Sequence, residues 1–171
     1  MNQKNPRKIC LVPKLEGLGG TASFQARLME GLARRSMGVT FDLHDESAGV
    51  ILVVGGTRHF NDLIAAKKRG AMIVQRLDGI NWIHRRIYTG IRHFLKAEIN
   101  NRTIAHIRRN LADRIVYQSH FVKDWWAKRY GDQDTPSYVI HNGVDLTTVS
   151  YTHLRAHETV LDLVCRLLLE K

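Results

Sequence analysis

The chain has 171 residues, of which 44% are hydrophobic and 25% charged, a composition typical of soluble globular proteins and not of disordered or fibrous ones. No apolar run approaches the ~20 residues that a membrane-spanning helix needs, and the polar, basic start of the chain lacks the apolar segment of a secretory signal. The two cysteines, Cys10 and Cys165, lie far apart in apolar runs, which suits a reducing cytosol and gives no metal-binding spacing. We therefore expect a cytoplasmic protein that needs no metal.

The formal net charge of +10 is confined to the first 146 residues, because basic and acidic residues balance in the last 25. Such an excess favours an anionic partner: phospholipid head groups, a nucleotide, an acidic glycan or nucleic acid. Solubility alone is the alternative explanation. Nucleic acid is disfavoured, because no recognised motif is present and the arginines are not interleaved with exposed stacking aromatics in a strand.

The first predicted element is a buried strand over the short apolar run from Lys8 to Val12. A loop containing Gly17, Gly19 and Gly20 follows, and apolar residues then recur with helical spacing. Glycine permits positive φ and close backbone approach, and the first N–H groups of a helix have no internal partner, so this arrangement favours phosphate binding. The spacing is G-x-G-G, which is neither the dinucleotide fingerprint nor the P-loop. The alternative is that the glycines only form the turn.

The rest of the chain alternates between apolar runs and helical patterns. Further strands are predicted at 39–43, 50–54, 72–77, 114–119 and 137–140. Helices are predicted at 58–69, at 91–112 with Asn100–Asn101 as a candidate break, and at 120–130, while 80–90 is predicted to be a long basic loop. The continuous apolar runs are typical of strands covered on both faces, as in parallel sheets.

This alternation predicts an α/β fold with a doubly wound, mostly parallel, Rossmann-like sheet and right-handed crossovers. Ligands in such sheets gather at the carboxyl ends of the strands. We therefore expect the loops at 15–21, 55–58, 78–90, 119–120 and 141–145 to line one edge and to carry any chemistry.

Four segments of the chain resemble the N-terminal domain of the family 4 glycosyltransferases, which have the GT-B fold. They are EGLGGTASFQARL, QRLDGINW, LADRIVYQSHFVKDWWAKRYG and YVIHNGVD. The N-G-V-D match is the most specific, because in the family it marks the crossing into the second domain. The resemblance covers roughly residues 7–146 and implies that residues 1–146 form the acceptor-side, N-terminal half of a GT-B fold.

The resemblance implies transfer of a sugar from a nucleotide-sugar donor to a glycan or lipid-linked acceptor, with retention at the anomeric carbon and no obligatory metal. In the family the second domain binds the nucleotide and carries an E-x7-E motif, which does not occur in this chain. We therefore expect a truncated fragment that is inactive alone and peripheral to the inner face of the membrane. The alternative is a basic α/β binding module for a nucleotide, an anionic membrane surface or nucleic acid.

The loop residues carry the expected site. As a catalytic residue we predict Asp78, which follows the fourth strand and is suited to bond an acceptor hydroxyl or act as a base; the alternative is a simple Asp-Gly turn. By the resemblance, donor phosphate is expected at Gly19, Gly20 and Thr21. Acceptor binding is assigned to Asn81, Trp82, His84, Arg85, Ser119 and His120. Asn142, Gly143 and Asp145 are expected to form an interdomain hinge.

The last 25 residues, TTVSYTHLRAHETVLDLVCRLLLEK, continue no feature of the family. They resemble a peptide that recurs at the ends of predicted genes and looks like translated sequencing-adapter DNA. The alternative is a genuine C-terminal helix, because Leu154, Leu161, Leu167 and Leu168 could form an apolar stripe.

Deleting Thr147 to Lys171 tests the tail. If it is an artefact, the free energy of unfolding should change by less than about 1 kcal/mol, the scale of surface changes without a named mechanism. Chemical denaturation of the full and shortened chains measures the difference. A large cooperative loss of stability would show that the tail belongs to the fold.

Overall fold

The computed structural model describes residues 8–17 and 19–143. The chain divides into two units, Met1–His141 and Asn142–Lys171. Only Asn142 and Gly143 of the second unit are described, so the predictions for Asp145 and for the tail at 147–171 lie outside the described residues.

The described chain forms six strands and four α-helices. The strands are Lys8–Val12 (β1), Val39–Thr40 (β2), Ala48–Val54 (β3), Met72–Leu77 (β4), Arg114–Tyr117 (β5) and Ser137–Val139 (β6). The helices are Gly20–Ala33 (α1), Phe60–Lys68 (α2), Ile91–Asn110 (α3) and His120–Tyr130 (α4), with a short 3-10 helix at Ile83–Arg85. None of these helices is both long and apolar enough to span a bilayer.

The strands form one sheet in the order β2-β1-β3-β4-β5-β6, and every neighbouring pair is parallel. The first crossover runs toward one edge and all later ones toward the other, which confirms the predicted doubly wound α/β arrangement. Because the strands are parallel, their carboxyl ends and the loops that follow them lie along one edge.

The two faces of the sheet are covered by different helices. On one face, Val53, Gln75 and Ile115 lie side by side in register, and the core there includes residues of α2, α3 and α4. The next residue of β4, Arg76, points to the opposite face. Its guanidinium carbon lies 3.8 Å from the ring centroid of Phe24 in α1, so α1 covers this second face.

The predicted break in the third helix is wrong, because α3 continues through Asn100 and Asn101. Asn101 is fully buried, and its side chain bonds the backbone of Asn81 on the preceding loop. Helix propensity is a weak preference that such a tertiary contact overrides.

The second strand is shorter than predicted, ending at Thr40 instead of residue 43. The Thr40 hydroxyl accepts from the N–H of Asp42 at 3.2 Å, and the Asp42 carboxylate accepts from the N–H of His44 at 2.9 Å. These local bonds offer the backbone an alternative to the ladder and turn the chain away from the sheet.

One glycine of the site edge is required by packing. A Cβ atom at Gly56 would lie 2.8 Å from Cγ1 of Ile104 and 3.5 Å from its Cα. The turn after β3 therefore approaches the Ile104 side chain of α3 more closely than a larger residue at position 56 permits, and this contact places α3 against the site loops.

Asp113 ties the end of α3 to the sheet. Its carboxylate accepts from the N–H of Ile73 at 2.8 Å, and its own N–H donates to the carbonyl of Ile73 at 2.8 Å. The other carboxylate oxygen lies 2.7 Å from Lys67 Nζ.

Asp113→Ala should lower the free energy of unfolding by about 1–3 kcal/mol, because the N–H of Ile73 loses its partner. Lys67→Ala should cost less than about 1 kcal/mol, since the pair is partly exposed to solvent. Asp124→Ala on the exposed side of α4 is the matched control. Urea denaturation of the three variants measures these differences, and an equal effect of Asp113→Ala and Asp124→Ala would contradict the assigned role.

Candidate functional site

A cavity of about 690 Å³ lies between the loop after β4, the first half of α3 and Arg58 of the turn after β3. We call it the β4–α3 cavity. Its lining includes basic side chains and polar groups but no carboxylate, and comprises Arg58, Ile80, Asn81, Trp82, Ile83, His84, Thr89, His93, Lys96, Ala97 and Asn100. It is therefore suited to a polar ligand that carries negative charge.

Three of the predicted acceptor residues line this cavity: Asn81, Trp82 and His84. The ring of Trp82 is half exposed, so it offers an aromatic surface to a ligand. Asn81 is fixed through its backbone, whose N–H donates to Asn101 Oδ1 at 3.2 Å and whose carbonyl accepts from Asn101 Nδ2 at 2.9 Å. The loop after β4 is thus held in place by a buried side chain of α3.

His84 lines the cavity, but most of its side chain is enclosed by the domain. Its side chain is 1% exposed, its Nε2 lies 2.8 Å from Glu98 Oε1, and its ring packs edge-on against Phe94 with centroids 5.1 Å apart. Arg85 Nε donates to the same Glu98 oxygen at 2.6 Å. Both side chains therefore anchor the loop to α3 through one carboxylate.

The hydrogen bond from His84 lowers the pKa of Glu98 below its ordinary value. The hydrogen bond from Arg85 and the charge of both side chains lower it further, whereas burial acts in the opposite direction. Glu98 is thus ionised near neutral pH and only accepts hydrogen bonds. It follows that His84 Nε2 carries a hydrogen and donates a hydrogen bond to the carboxylate.

Asp78 is connected to the first turns of α1 through Arg76. Its Oδ1 lies 2.5 Å from Nη1 of the buried Arg76, whose guanidinium stacks on Phe24, one helical turn after Gly20. The carbonyl of Asp78 accepts from Trp126 Nε1 at 2.8 Å. The structure therefore brings Asp78 and the start of α1 to the same part of the edge.

The glycine loop is held by a residue that the sequence patterns did not single out. Gln25 of α1 is 2% exposed; its Oε1 accepts from the N–H of Leu15 at 2.8 Å and its Nε2 donates to the carbonyl of Pro13 at 2.9 Å. Among the three glycines of the loop, positive φ occurs at Gly17, at 95°. Gly20 is the first residue of α1, and a Cβ there would meet no atom within 4 Å.

The start of α1 is accessible to a ligand. Gly19, Gly20 and Thr21 are all exposed, and Gly19 is the N-cap without a capping side chain. The first backbone N–H groups of a helix lack helical partners. This end of α1 can therefore approach an anion without displacing any side chain of its own.

The remaining predicted residues lie at the ends of β5 and β6. Ser119 caps α4, since its Oγ accepts from the N–H of Val122 at 3.2 Å. His120 is exposed, and its ring centroid lies 6.4 Å from that of His141. Of the predicted hinge, Asn142 and Gly143 are exposed.

The sequence patterns missed the residues that position the site. Arg76 could have been found, because it interrupts an apolar strand two residues before Asp78, and residues two apart in a strand share a face. Glu98 is the one acid among the basic residues between positions 80 and 110. Nothing in the sequence marks Gln25 or Asn101 as buried. Within residues 8–17 and 19–143, no three His, Cys, Asp or Glu side chains are grouped as metal ligands would be.

Glu98→Gln tests the anchoring of the loop. A depressed pKa means that ionised Glu98 stabilises the fold above its ordinary pKa near 4.5, and that this contribution is lost as the pH falls below that value. At pH 7 the variant should therefore be less stable by about 1–2 kcal/mol, and the two stability curves should converge toward acid pH. Urea denaturation against pH measures this. Glu46→Gln in an exposed turn is the control, and a constant difference at all pH values would contradict the assignment.

The family comparison covers the part of the edge that contains the cavity. The family model Glycosyltransferase Family 4 matches residues 51–148, which is more than half of the chain and includes Asp78, the loop after β4 and all of α3 and α4. The glycine loop precedes the matched residues. The search of curated proteins found no match. The chain belongs to glycosyltransferase family 4.

Proposed function

We propose that this domain is the acceptor side of an enzyme that transfers a sugar from a nucleotide-sugar donor to a glycan or lipid-linked acceptor, with retention at the anomeric carbon. The observation that carries the proposal is the β4–α3 cavity, which opens at the carboxyl edge of the sheet in a family 4 chain. Asp78 lies at the same edge, joined through Arg76 to the start of α1. In this proposal the acceptor site and the anion site are neighbours along this edge.

In this proposal the donor diphosphate approaches Gly19, Gly20 and Thr21. The exposure of these residues and the open space beside Gly20 support it. The positive end of the α1 dipole and the unpaired N–H groups favour phosphate. We expect that no metal is needed, because the backbone N–H groups at the start of α1 stabilise the negative charge of the phosphate.

The acceptor is proposed to occupy the β4–α3 cavity. Trp82 gives it an apolar surface suited to the face of a sugar ring, and Asn81 lies beside it. Arg58 and Lys96 add positive charge with no carboxylate in the lining, which favours an acceptor with a phosphate or carboxylate. Arg85, Ser119 and His120 border this edge, but Arg85 and Ser119 act chiefly by fixing the loop and α4.

Asp78 is proposed to bond the acceptor hydroxyl that attacks the donor, or to accept its proton. The support is positional: Arg76 holds one carboxylate oxygen in place, and the side chain remains 26% exposed. The nucleotide is proposed to bind a second domain across a hinge that includes Asn142, Gly143 and Asp145. The 171 residues alone are accordingly expected to give no turnover.

Gly20→Val tests the donor site in an enzyme completed by fusion to the second domain of a family 4 glycosyltransferase. A β-branched side chain would fill the space that phosphate oxygens need, so donor affinity should fall about tenfold or more, equivalent to ~1.4 kcal/mol. Acceptor affinity should be unchanged, and Gly20→Ala should have a smaller effect. Titration with nucleotide sugars and with acceptor, alongside thermal unfolding, measures each quantity.

The control is Gly49→Val. Gly49 lies in β3, is exposed, and also has no atom within 4 Å of an added Cβ. It is at the N-terminal end of β3, however, and so lies away from the carboxyl edge of the sheet. Unchanged donor affinity in Gly20→Val, or an equal loss in Gly49→Val, would remove the phosphate role from α1.

A further inference from the structure

A second cavity lies between the loop after β4 and α4. Its volume is about 260 Å³. Three arginines and two tryptophans belong to its lining, which comprises Ile80, Asn81, Trp82, Arg85, Arg86, Trp125 and Arg129. We call it the cavity of Arg85, Arg86 and Arg129. No residue of α3 belongs to this lining, so the cavity is distinct from the β4–α3 cavity.

The wall that α4 contributes is fixed against the turn after β4. A Cβ atom at Gly79 would lie 3.1 Å from Cζ3 of Trp125, so the indole packs directly on the backbone of that turn. The neighbouring Trp126 donates from Nε1 to the carbonyl of Asp78 at 2.8 Å. Arg129 follows Trp125 by four positions and therefore lies on the same side of α4. The ring and the guanidinium thus form one wall of defined position.

The opposite wall is held by the short 3-10 helix and by Glu98. The backbone N–H groups of Arg85 and Arg86 donate to the carbonyls of Trp82 and Ile83 at 2.9 Å. Nε and Nη2 of Arg85 each lie 2.6 Å from Glu98 Oε1. A guanidinium has further N–H donors, so Arg85 can also bond a ligand in the cavity.

The charge of the cavity suits a phosphate group. Glu98 lies outside the lining and compensates one of the three arginines. Neither Arg86 nor Arg129 forms an ion pair with another residue of the described chain. Two positive charges therefore remain, and a phosphate monoester carries about −1.5 to −2 near neutral pH. Guanidinium groups also match phosphate oxygens geometrically, since they donate two parallel hydrogen bonds.

The cavity offers more than a bare anion can use. The ring of Trp82 is half exposed and lies in the same lining as the arginines. An indole face is apolar and suits the C–H face of a sugar ring, whereas an inorganic ion makes no use of it. Because the chain belongs to a glycosyltransferase family, a sugar is the ring that best fits this wall.

We propose that the cavity of Arg85, Arg86 and Arg129 is a binding site for a sugar phosphate. The phosphate is bound by the guanidinium groups, and the sugar ring packs against Trp82. This is a ligand site additional to the start of α1 and to the β4–α3 cavity. The proposal does not depend on sugar transfer, because it needs only residues of the described domain.

The test is isothermal titration calorimetry of the full chain with glucose 6-phosphate as the probe. Inorganic phosphate and glucose are titrated separately. Glucose 6-phosphate should bind, and added salt should weaken its binding. Inorganic phosphate should bind about tenfold more weakly because it makes no contact with Trp82, and glucose should bind more weakly still because it lacks the charge. Equal affinity for glucose and glucose 6-phosphate, or no binding of either, would overturn the proposal.

Three variants locate the ligand in the cavity. Arg86→Gln and Arg129→Gln should each lower the affinity for glucose 6-phosphate about tenfold, because each removes a charged donor to the phosphate. Trp82→Leu should bring the affinity for glucose 6-phosphate close to that for inorganic phosphate. Both arginines are exposed, so thermal unfolding of their variants should match that of the parent chain.

Matched controls separate this cavity from the other basic parts of the domain. Arg58→Gln removes an arginine from the lining of the β4–α3 cavity, and Arg35→Gln removes an exposed arginine next to the end of α1. Both should bind glucose 6-phosphate like the parent chain, as should Gly20→Val. A loss in any of the three equal to that in Arg86→Gln and Arg129→Gln would place the phosphate elsewhere or show unspecific attraction, and would overturn the proposal.

Two further ligands distinguish other sources of the phosphate. Tighter binding of adenosine monophosphate than of glucose 6-phosphate would assign the cavity to a nucleotide. Sedimentation with phosphatidylglycerol vesicles, without any binding of glucose 6-phosphate, would assign the arginines to a lipid head group. Either result would overturn the proposal. Because none of these assays contains a nucleotide sugar, the donor titrations can succeed or fail independently.

Discussion

The position of α3 depends on one buried side-chain amide in the middle of the sheet. Gln75 is fully buried, and its Nε2 donates to the carbonyl of Gly55 at 2.7 Å and to that of Ile104 at 3.1 Å. β4 is thereby bonded both to the turn after β3 and to the middle of α3. The missing side chain of Gly56 makes the approach sterically feasible. Together with the bonds of Asp113 and Arg108, this contact fixes α3, and α3 in turn fixes Asn81 at the carboxyl edge.

The two halves of α3 have different roles. In the second half Arg108 is buried, donating to the Tyr117 hydroxyl at 3.0 Å and to the Gly131 carbonyl at 2.9 Å, and Ile107 lies in the core. The first half contacts the domain mainly through the loop after β4. This division lets one helix be anchored in the fold while its other half supports a cavity and presents an apolar stripe to solvent.

The sequence predicted the sheet well because each strand is a short apolar run and the helices between strands end at turn residues, such as Gly70 after α2 and Gly131 after α4, which both adopt positive φ. The predicted break in the middle of α3 was wrong for a physical reason. The apolar spacing of four ends at Ile99, and the next apolar residue is Ile104, five positions later. The candidate break at Asn100–Asn101 falls within this change of phase. The structure shows a continuous helix whose apolar side rotates from solvent to core.

The edge position of Asp78 was predictable from strand topology, whereas the bonds of Gln25, Asn101 and Glu98 were not. A polar residue on a helix is ordinarily exposed, and only the tertiary fold determines that these three meet backbone groups or a histidine. The burial of His84 could not be predicted from the sequence for the same reason. A histidine in a basic loop resembles a ligand-binding group in sequence, but one carboxylate across the loop was enough to bury it.

The two cavities beside the loop after β4 are separated by the same short segment. Ile80, Asn81 and Trp82 line both the β4–α3 cavity and the cavity of Arg85, Arg86 and Arg129. A ligand in one therefore lies across Trp82 from a ligand in the other. The loop that lines both cavities is held against α3 by Glu98 and Asn101, so the shapes of the two cavities depend on the same contacts.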